Sequence, residues 1–285
     1  MSKGKEHRKK RSLESRLRLP YRSRLLGDSV ETLEKATSAA ILVSEKAMGI
    51  EHTGRQIRAL TVFAKTIAHV MTIARVVDVV RTSPPGATVL DHFSVATLAR
   101  SAIDAALMTL YLSDLQITLE QWQLRRHVLF LHDATTRKRF LESSAKIGGE
   151  RDEEFFSSYE VIRDDLRAKI HGFCLALQKS PVEIERLMTG QFVFVDGARG
   201  AAREAGWDVN EFGFAQEYLS SHVHSHPVSF MRAKDHNISF QEPSEFQYAV
   251  SSVAIEMAAS ALASATERMT KFAGDFARDH LGQVD

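Results

Sequence analysis

FSVATLARSAIDAALMTLYL, residues 93–112, is the most apolar stretch of the chain. Its length suits a membrane span, but Arg100 and Asp104 lie inside it, and each is costly at a bilayer centre. A buried core helix is the better reading. At 100° per residue, Ser94, Thr97, Arg100, Ser101 and Asp104 fall within an arc of roughly 120°. The remaining two-thirds of the circumference is apolar and must be covered by other helices. Arg100 and Asp104 are four apart and pair on the polar stripe. That stripe is either a solvent face or interhelical clamp, or the polar wall of a pocket, since a charge pair on an apolar helix needs partners.

The flanking sequence is also helical in pattern. Asp28 or Ser29 caps a first helix reaching Met48, and a second runs from Gln56 to Arg81, where Ser83-Pro84-Pro85-Gly86 stops it. The third helix is followed by helices over Thr118–Ser144 and Asp152–Gln178, a short one opened by Pro181, and another between Gly197 and Gly206. Gln191 to Val195 has the composition of one short strand. Residues 211–231 form a short helix and a loop around Pro227, and Pro243-Ser244 opens a long alanine-rich helix from Glu245 to His280. With 6 prolines, 15 glycines and no repeat, the expected fold is all-α: a single antiparallel bundle over residues 28–285 behind a basic, disordered arm over residues 1–27.

Charge follows the same division. Residues 1–24 hold ten Lys/Arg and two Asp/Glu, a net of +8, while the rest holds 27 and 34, a net of −7. The arm has the charge to contact nucleic-acid phosphates, although Tyr21 is its one aromatic residue, so base stacking is not indicated. Cys174 is the single cysteine, which excludes an internal disulfide and a cysteine zinc cage. The start, Met1-Ser2-Lys3-Gly4-Lys5, has no apolar run, so no signal peptide, no membrane partner and a cytoplasmic location are expected.

Three segments carry candidate chemistry. The first is the Arg100–Asp104 stripe. The second is Tyr218-Leu219-Ser220-Ser221-His222-Val223-His224-Ser225-His226-Pro227. On a helix His222 and His226 share a face, and on a strand all three histidines do. No carboxylate motif of a zinc protease accompanies them, so a polar pocket is expected here rather than a metal or other cofactor. The third is Arg125-Arg126-His127-Val128-Leu129-Phe130-Leu131-His132-Asp133, in which Arg125 and His132 share a helix face and Arg126 lies about 120° from His132. Gly197-Ala198-Arg199-Gly200 lacks the lysine and context of a phosphate loop, and no Gly-x-Ser-x-Gly motif occurs.

The third segment, arginine then histidine four to six residues on with a polar residue after the arginine, resembles the signature of the HEPN superfamily of helical ribonucleases and nucleotide-binding proteins. The resemblance implies metal-independent RNA cleavage, with His132 moving a proton and Arg126 stabilising phosphoryl charge. Thr97-Leu98-Ala99-Arg100-Ser101-Ala102-Ile103-Asp104 together with Ala201–Val228 resembles a bacterial all-helical domain-of-unknown-function family, the one numbered 5677. There an arginine is followed four residues on by an acid, and a closing motif runs glycine, tyrosine, serine, histidine. Gly206, Tyr218, Ser220 or Ser221, and His224 or His226 fill those roles. The resemblance implies an all-helical fold in which Arg100, Asp104, Ser221, His224 and His226 meet at one polar site for an anion or nucleotide. The leading expectation is therefore a helical binding or effector module of bacterial stress or phage-defence type, open to homo-oligomerisation. The alternatives are the HEPN-like ribonuclease and a nucleic-acid-binding scaffold acting through residues 1–24.

Overall fold

The computed structural model describes the backbone of residues 3–82, 89–239 and 242–273, and within these the side chains from residue 25 onward except those of residues 81 and 82. The described chain is all-α. Its long helices are α1 (Lys3–Lys46), α2 (Gly54–Thr82), α3 (His92–Leu112), α4 (Leu119–Lys146) and α5 (Glu153–Ala176). The shorter α6 (Pro181–Leu187), α7 (Gly197–Glu204) and α8 (Val209–Val223) follow, then a single 3-10 turn (Pro227–Ser229) and α9 (Glu245–Phe272). The all-α helical packing expected is found, and the chain divides into two compact units, residues 1–113 with 210–285, and residues 114–209.

In the first unit α3 packs along both α2 and α9, and α9 packs along α1. Ala96, Ala99, Ala102 and Ala106 of α3 are buried, as are Ala254, Ala258, Ala261 and Ala265 of α9. Small side chains at this spacing let helix backbones approach closely. Phe63, Ile73 and Val77 from α2 and Val30 and Leu33 from α1 complete the core. By length and composition α2, α3 and α9 would each reach across a membrane. Two-thirds of the apolar window of α3 (67%) and most of that of α9 (61%) is buried inside this unit, against 33% for α2, so α3 and α9 spend their apolar surface on the core.

Two buried polar side chains on the first turn of α2 close the ends of its neighbours. Arg55 Nε donates to the Leu112 carbonyl at 2.7 Å, with its guanidinium 5.4 Å from the Phe272 ring, and Gln56 Nε2 donates to the Phe272 carbonyl at 2.9 Å. The last carbonyls of a helix have no partner within it, and a cation at that end also opposes the helix dipole. One turn of α2 thus terminates both α3 and α9.

Several boundaries differ from expectation for identifiable reasons. The backbone is helical from Lys3, within the stretch expected as a basic, disordered arm over 1–27; the high helix propensity of its Lys, Arg, Glu and Leu residues carries the helix past Pro20. Ser29 is therefore not a cap but a mid-helix residue, buried, with its hydroxyl donating to Glu256 Oε1 of α9 at 2.8 Å. Gln191 to Val195 forms no strand. No neighbouring strand exists among the described residues to pair with it, and Val195 instead fills the core of the second unit. The expected extension of the last helix to His280 lies outside the described residues.

The second unit is built on α4 and α5, which pack as a hairpin, with α6 against α5. Thr118 and Gln121 form a reciprocal cap at the start of α4, and Ser180 and Glu183 form another at α6. The latter holds the Glu183 carboxyl down at about 2, mainly through its hydrogen bonds with Ser180. Leu124, Val128 and Leu131 meet Leu166, Ile170 and Cys174 in the core. Gly190 is the position where glycine is required: its φ is +71°, and an added Cβ would lie 2.4 Å from Thr135 Oγ1.

Two substitutions test this account. Ile103, 4% exposed in α3, becomes an unpaired buried charge as aspartate, and Ile103→Asp should abolish the cooperative thermal transition of the first unit. Arg55→Met leaves the Leu112 carbonyl without its buried donor and should cost about 1–3 kcal/mol in denaturant unfolding. A parent-like unfolding curve for either variant would show that α3 is not held in this way.

Candidate functional site

The two sequence motifs on α3 and α8 meet in the first unit. Arg100 Nε donates to Ser220 Oγ at 2.9 Å, and the same guanidinium is ion-paired with Asp104 one turn along α3. Exposure within the pair is lopsided: the Arg100 side chain is 12% exposed and that of Asp104 is 52%. The cation is thus held inside by the serine, while its counter-ion stands largely in water.

Nearer the start of α3 the same two helices bring together a second pair. His92 is the first residue of α3, set by Asp91, whose carboxylate caps the helix by accepting from the Ser94 amide at 3.0 Å and the Ser94 hydroxyl at 2.5 Å. His222 lies in the last turn of α8, at the end of an i, i+4, i+8 ladder. In that ladder Phe214 stacks on Tyr218 at 5.6 Å, and Tyr218 meets His222 edge-on at 5.3 Å. The His92 and His222 rings meet edge-on, with centroids 6.2 Å apart and planes at 76°, beside Phe93 and Phe246. His92 is 1% exposed and His222 8%, and none of their four ring nitrogens has a hydrogen-bond partner. The Leu90 carbonyl lies near the His92 ring without hydrogen-bond geometry. Burial pushes the pKa of both rings below the usual histidine value, and in His92 the neighbouring His222 adds to the shift, so both are neutral at neutral pH.

The residues expected at one site are thus only partly brought together. Arg100 and Asp104 are joined. Their serine partner is Ser220, whereas Ser221 is buried and turned back, donating to the Tyr218 carbonyl at 2.6 Å. His224 and His226 are exposed and stack on each other at 5.5 Å beyond the end of α8. Of the three clustered histidines it is His222 that faces inward. On a 3.6-residue helix, positions 222 and 226 would share a face, but α8 ends at Val223 and the chain turns there, with Ser225 at φ +50°. His92 has no sequence signal tying it to His222: it precedes the apolar run by one residue, and its partner lies far along the chain.

In the second unit Arg125 is buried and bonded to Glu204 at 2.9 Å, with Asp114 at 3.5 Å. Arg126 lies over the Phe130 ring at 5.5 Å. His132 is half-buried, its pKa lowered first by burial and then by Arg139. Arg126 and His132 lie six residues apart on one helix, about 9 Å along its axis and about 120° around it, and no hydrogen bond or ring contact links them among the described residues. A cleft of ≈ 190 Å³ beside Arg125 is lined by Lys179, Asp196 and Glu204 over Leu124, Leu177 and Val195. Its cations are already matched, Lys179 to Asp196 at 2.8 Å and to Glu183 at 3.2 Å. Cys174 is fully buried with its thiol pKa pushed up by burial, so it is not poised as a nucleophile. The side chains of residues 1–24, on which the nucleic-acid expectation rests, lie outside the described residues.

Comparison of the chain with family models, with curated proteins and with solved structures finds no match. What the site can do is therefore argued from its own chemistry.

That chemistry predicts a pH dependence. Unfolded, His92 and His222 titrate near about 6.5; folded, they titrate lower. Between those values the unfolded chain binds more protons, so stability is complete above about pH 7 and declines as pH falls through about 6.5 toward the folded values. The melting temperature should fall from about pH 7.5 to 5.5, and less steeply in a His92→Phe/His222→Phe double variant. His69, His127 and His132 are shifted in the same direction, so the difference between parent and variant isolates the pair. Identical slopes would mean that the two rings are not held neutral by the fold.

Proposed function

We propose that the first unit is a binding module for a small ligand bearing a phosphate or carboxylate, with Arg100 and Ser220 as its anchor. The observation that carries this reading is the uneven Arg100–Asp104 pair, in which a nearly buried guanidinium is fixed through Nε by Ser220 while its counter-ion remains half in solvent. Asp104, half in solvent, is readily rehydrated, and an incoming anion that takes its place keeps the nearly buried guanidinium compensated; a preorganised guanidinium favours planar, two-point contact with carboxylate or phosphate. A role in bacterial stress or phage defence is the biological setting proposed for such a module.

Calorimetric titration of the full chain with inorganic phosphate and with nucleoside monophosphates tests the reading. Arg100→Gln should weaken binding by more than about tenfold, as loss of a charge-assisted contact does. Asp104→Asn, which removes the competing counter-ion, should tighten it several-fold. Weaker binding in Asp104→Asn, or unchanged binding in Arg100→Gln, would refute the exchange of Asp104 for ligand.

A further inference from the structure

His92 and His222 are enclosed where the end of α8 meets the start of α3, and no ring nitrogen of either has a hydrogen-bond partner. A neutral imidazole tolerates such a place. An imidazolium does not, because it brings a charge and a second N–H donor into surroundings that supply no acceptor. We propose that the His92–His222 contact is an acid-sensitive latch, in which protonation of the rings releases the C-terminal end of α8 from α3 while the rest of the first unit stays folded. The proposal uses no ligand and is independent of the Arg100 anchor reading.

The groups around the pair give a new charge little compensation. On α3, Phe93 lies beside His222, and Asp91 is the acid that acts on His92. The Asp91 carboxylate is already engaged as the helix cap, accepting from the Ser94 amide and hydroxyl. On α8, Tyr218 meets His222 edge-on, and no acid among the described residues acts on that ring. On α9 the neighbour is Phe246, with the His236 ring stacked on it at 3.8 Å. A proton on one ring also opposes a proton on the other, whose centroid is 6.2 Å away. Opening removes both penalties, so the open form takes up protons that the closed form refuses.

α8 is also the helix of this unit best able to give way. α1, α2, α3 and α9 pack along one another, and α8 approaches none of them as closely over its length. Side chains tie its last turn to α3, through His222 to His92 and through Ser220 to Arg100. Phe212 and Ala215, buried nearer its start, hold the other end. Local opening of this kind needs only the loss of those last contacts, not of the core. Because Ser220 stands two residues before His222, opening also withdraws the hydroxyl from Arg100 Nε. The sign follows from the burial of the rings. The latch is closed above the ordinary histidine range, near about 6.5, and opens as pH falls below it.

Hydrogen–deuterium exchange of the full chain between about pH 7.5 and 5.5, with exchange times scaled for the intrinsic pH dependence of amide exchange, tests the latch. Amides of residues 217–223 should lose protection by more than about tenfold on acidification, while those of residues 99–110 and 254–266 keep theirs. A His92→Phe/His222→Phe double variant should lose the pH dependence at residues 217–223. Nuclear magnetic resonance of the parent with nitrogen-labelled histidine rings reads the latch without any substitution. The two imidazoles should take up protons over the same pH range in which those amides open. Protection of residues 217–223 that does not change with pH, or that is lost in step with α3 and α9, would overturn the proposal. So would rings that become charged while α8 stays protected, or a folded double variant with the pH dependence of the parent.

Discussion

The first unit depends on the need to cover α3. A 21-residue helix that is apolar on most of its surface has no stable exposure to water, and here α2 and α9 pack along it. Alanines on α3 and α9 allow close approach at the cost of little side-chain entropy. Close packing then fixes where the helix ends fall, and Arg55 and Gln56 on α2 are set so that they reach the terminal carbonyls of α3 and α9. Those two buried side chains make sense only in that arrangement, since each would otherwise be an unpaired polar group in the core.

The polar stripe of α3 is what this covering leaves less buried; α8 reaches it through Arg100–Ser220 and meets the start of α3 through His92–His222. Both pairs join residues more than a hundred positions apart. The two contacts differ in kind. One holds a charge whose counter-ion faces water; the other encloses neutral rings without giving them partners. Each is poorly explained by stability alone, because a clamp selected only for stability would satisfy its donors and acceptors within the protein. The ion pairs of the second unit show the contrast, with Arg125 and Lys179 each matched by acids and the cleft between them lined by groups that already have partners.

Much of the fold was legible in the sequence. The apolar period of residues 93–112, the expected helix starts at Thr118 and Asp152, Pro181 and Ser244 mark helices that occur at or within a few residues of their expected bounds. The departures have local causes. Helix propensity outweighed Pro20 in the backbone of α1, and a β-branched, aromatic run at 191–195 had no strand to pair with. Of the site, the Arg100–Asp104 pair was legible because both residues lie on one helix at a spacing that brings them together. The choice of Ser220 over Ser221, and of His222 over His224 and His226, was not, because it turns on the rotation of α8 and on where that helix stops.

The sequence by itself determined the helical class, the burial of α3 and the pairing of Arg100 with Asp104, since each follows from periodicity within one segment. Only the tertiary structure decided the division into two units, the closing of α3 and α9 by Arg55 and Gln56, and the meeting of His92 with His222. The physical reason is the range of the interactions. Helical spacing sets which residues share a face, whereas side chains from distant segments meet only once packing has fixed the axes and rotations of their helices, and no local pattern carries that information.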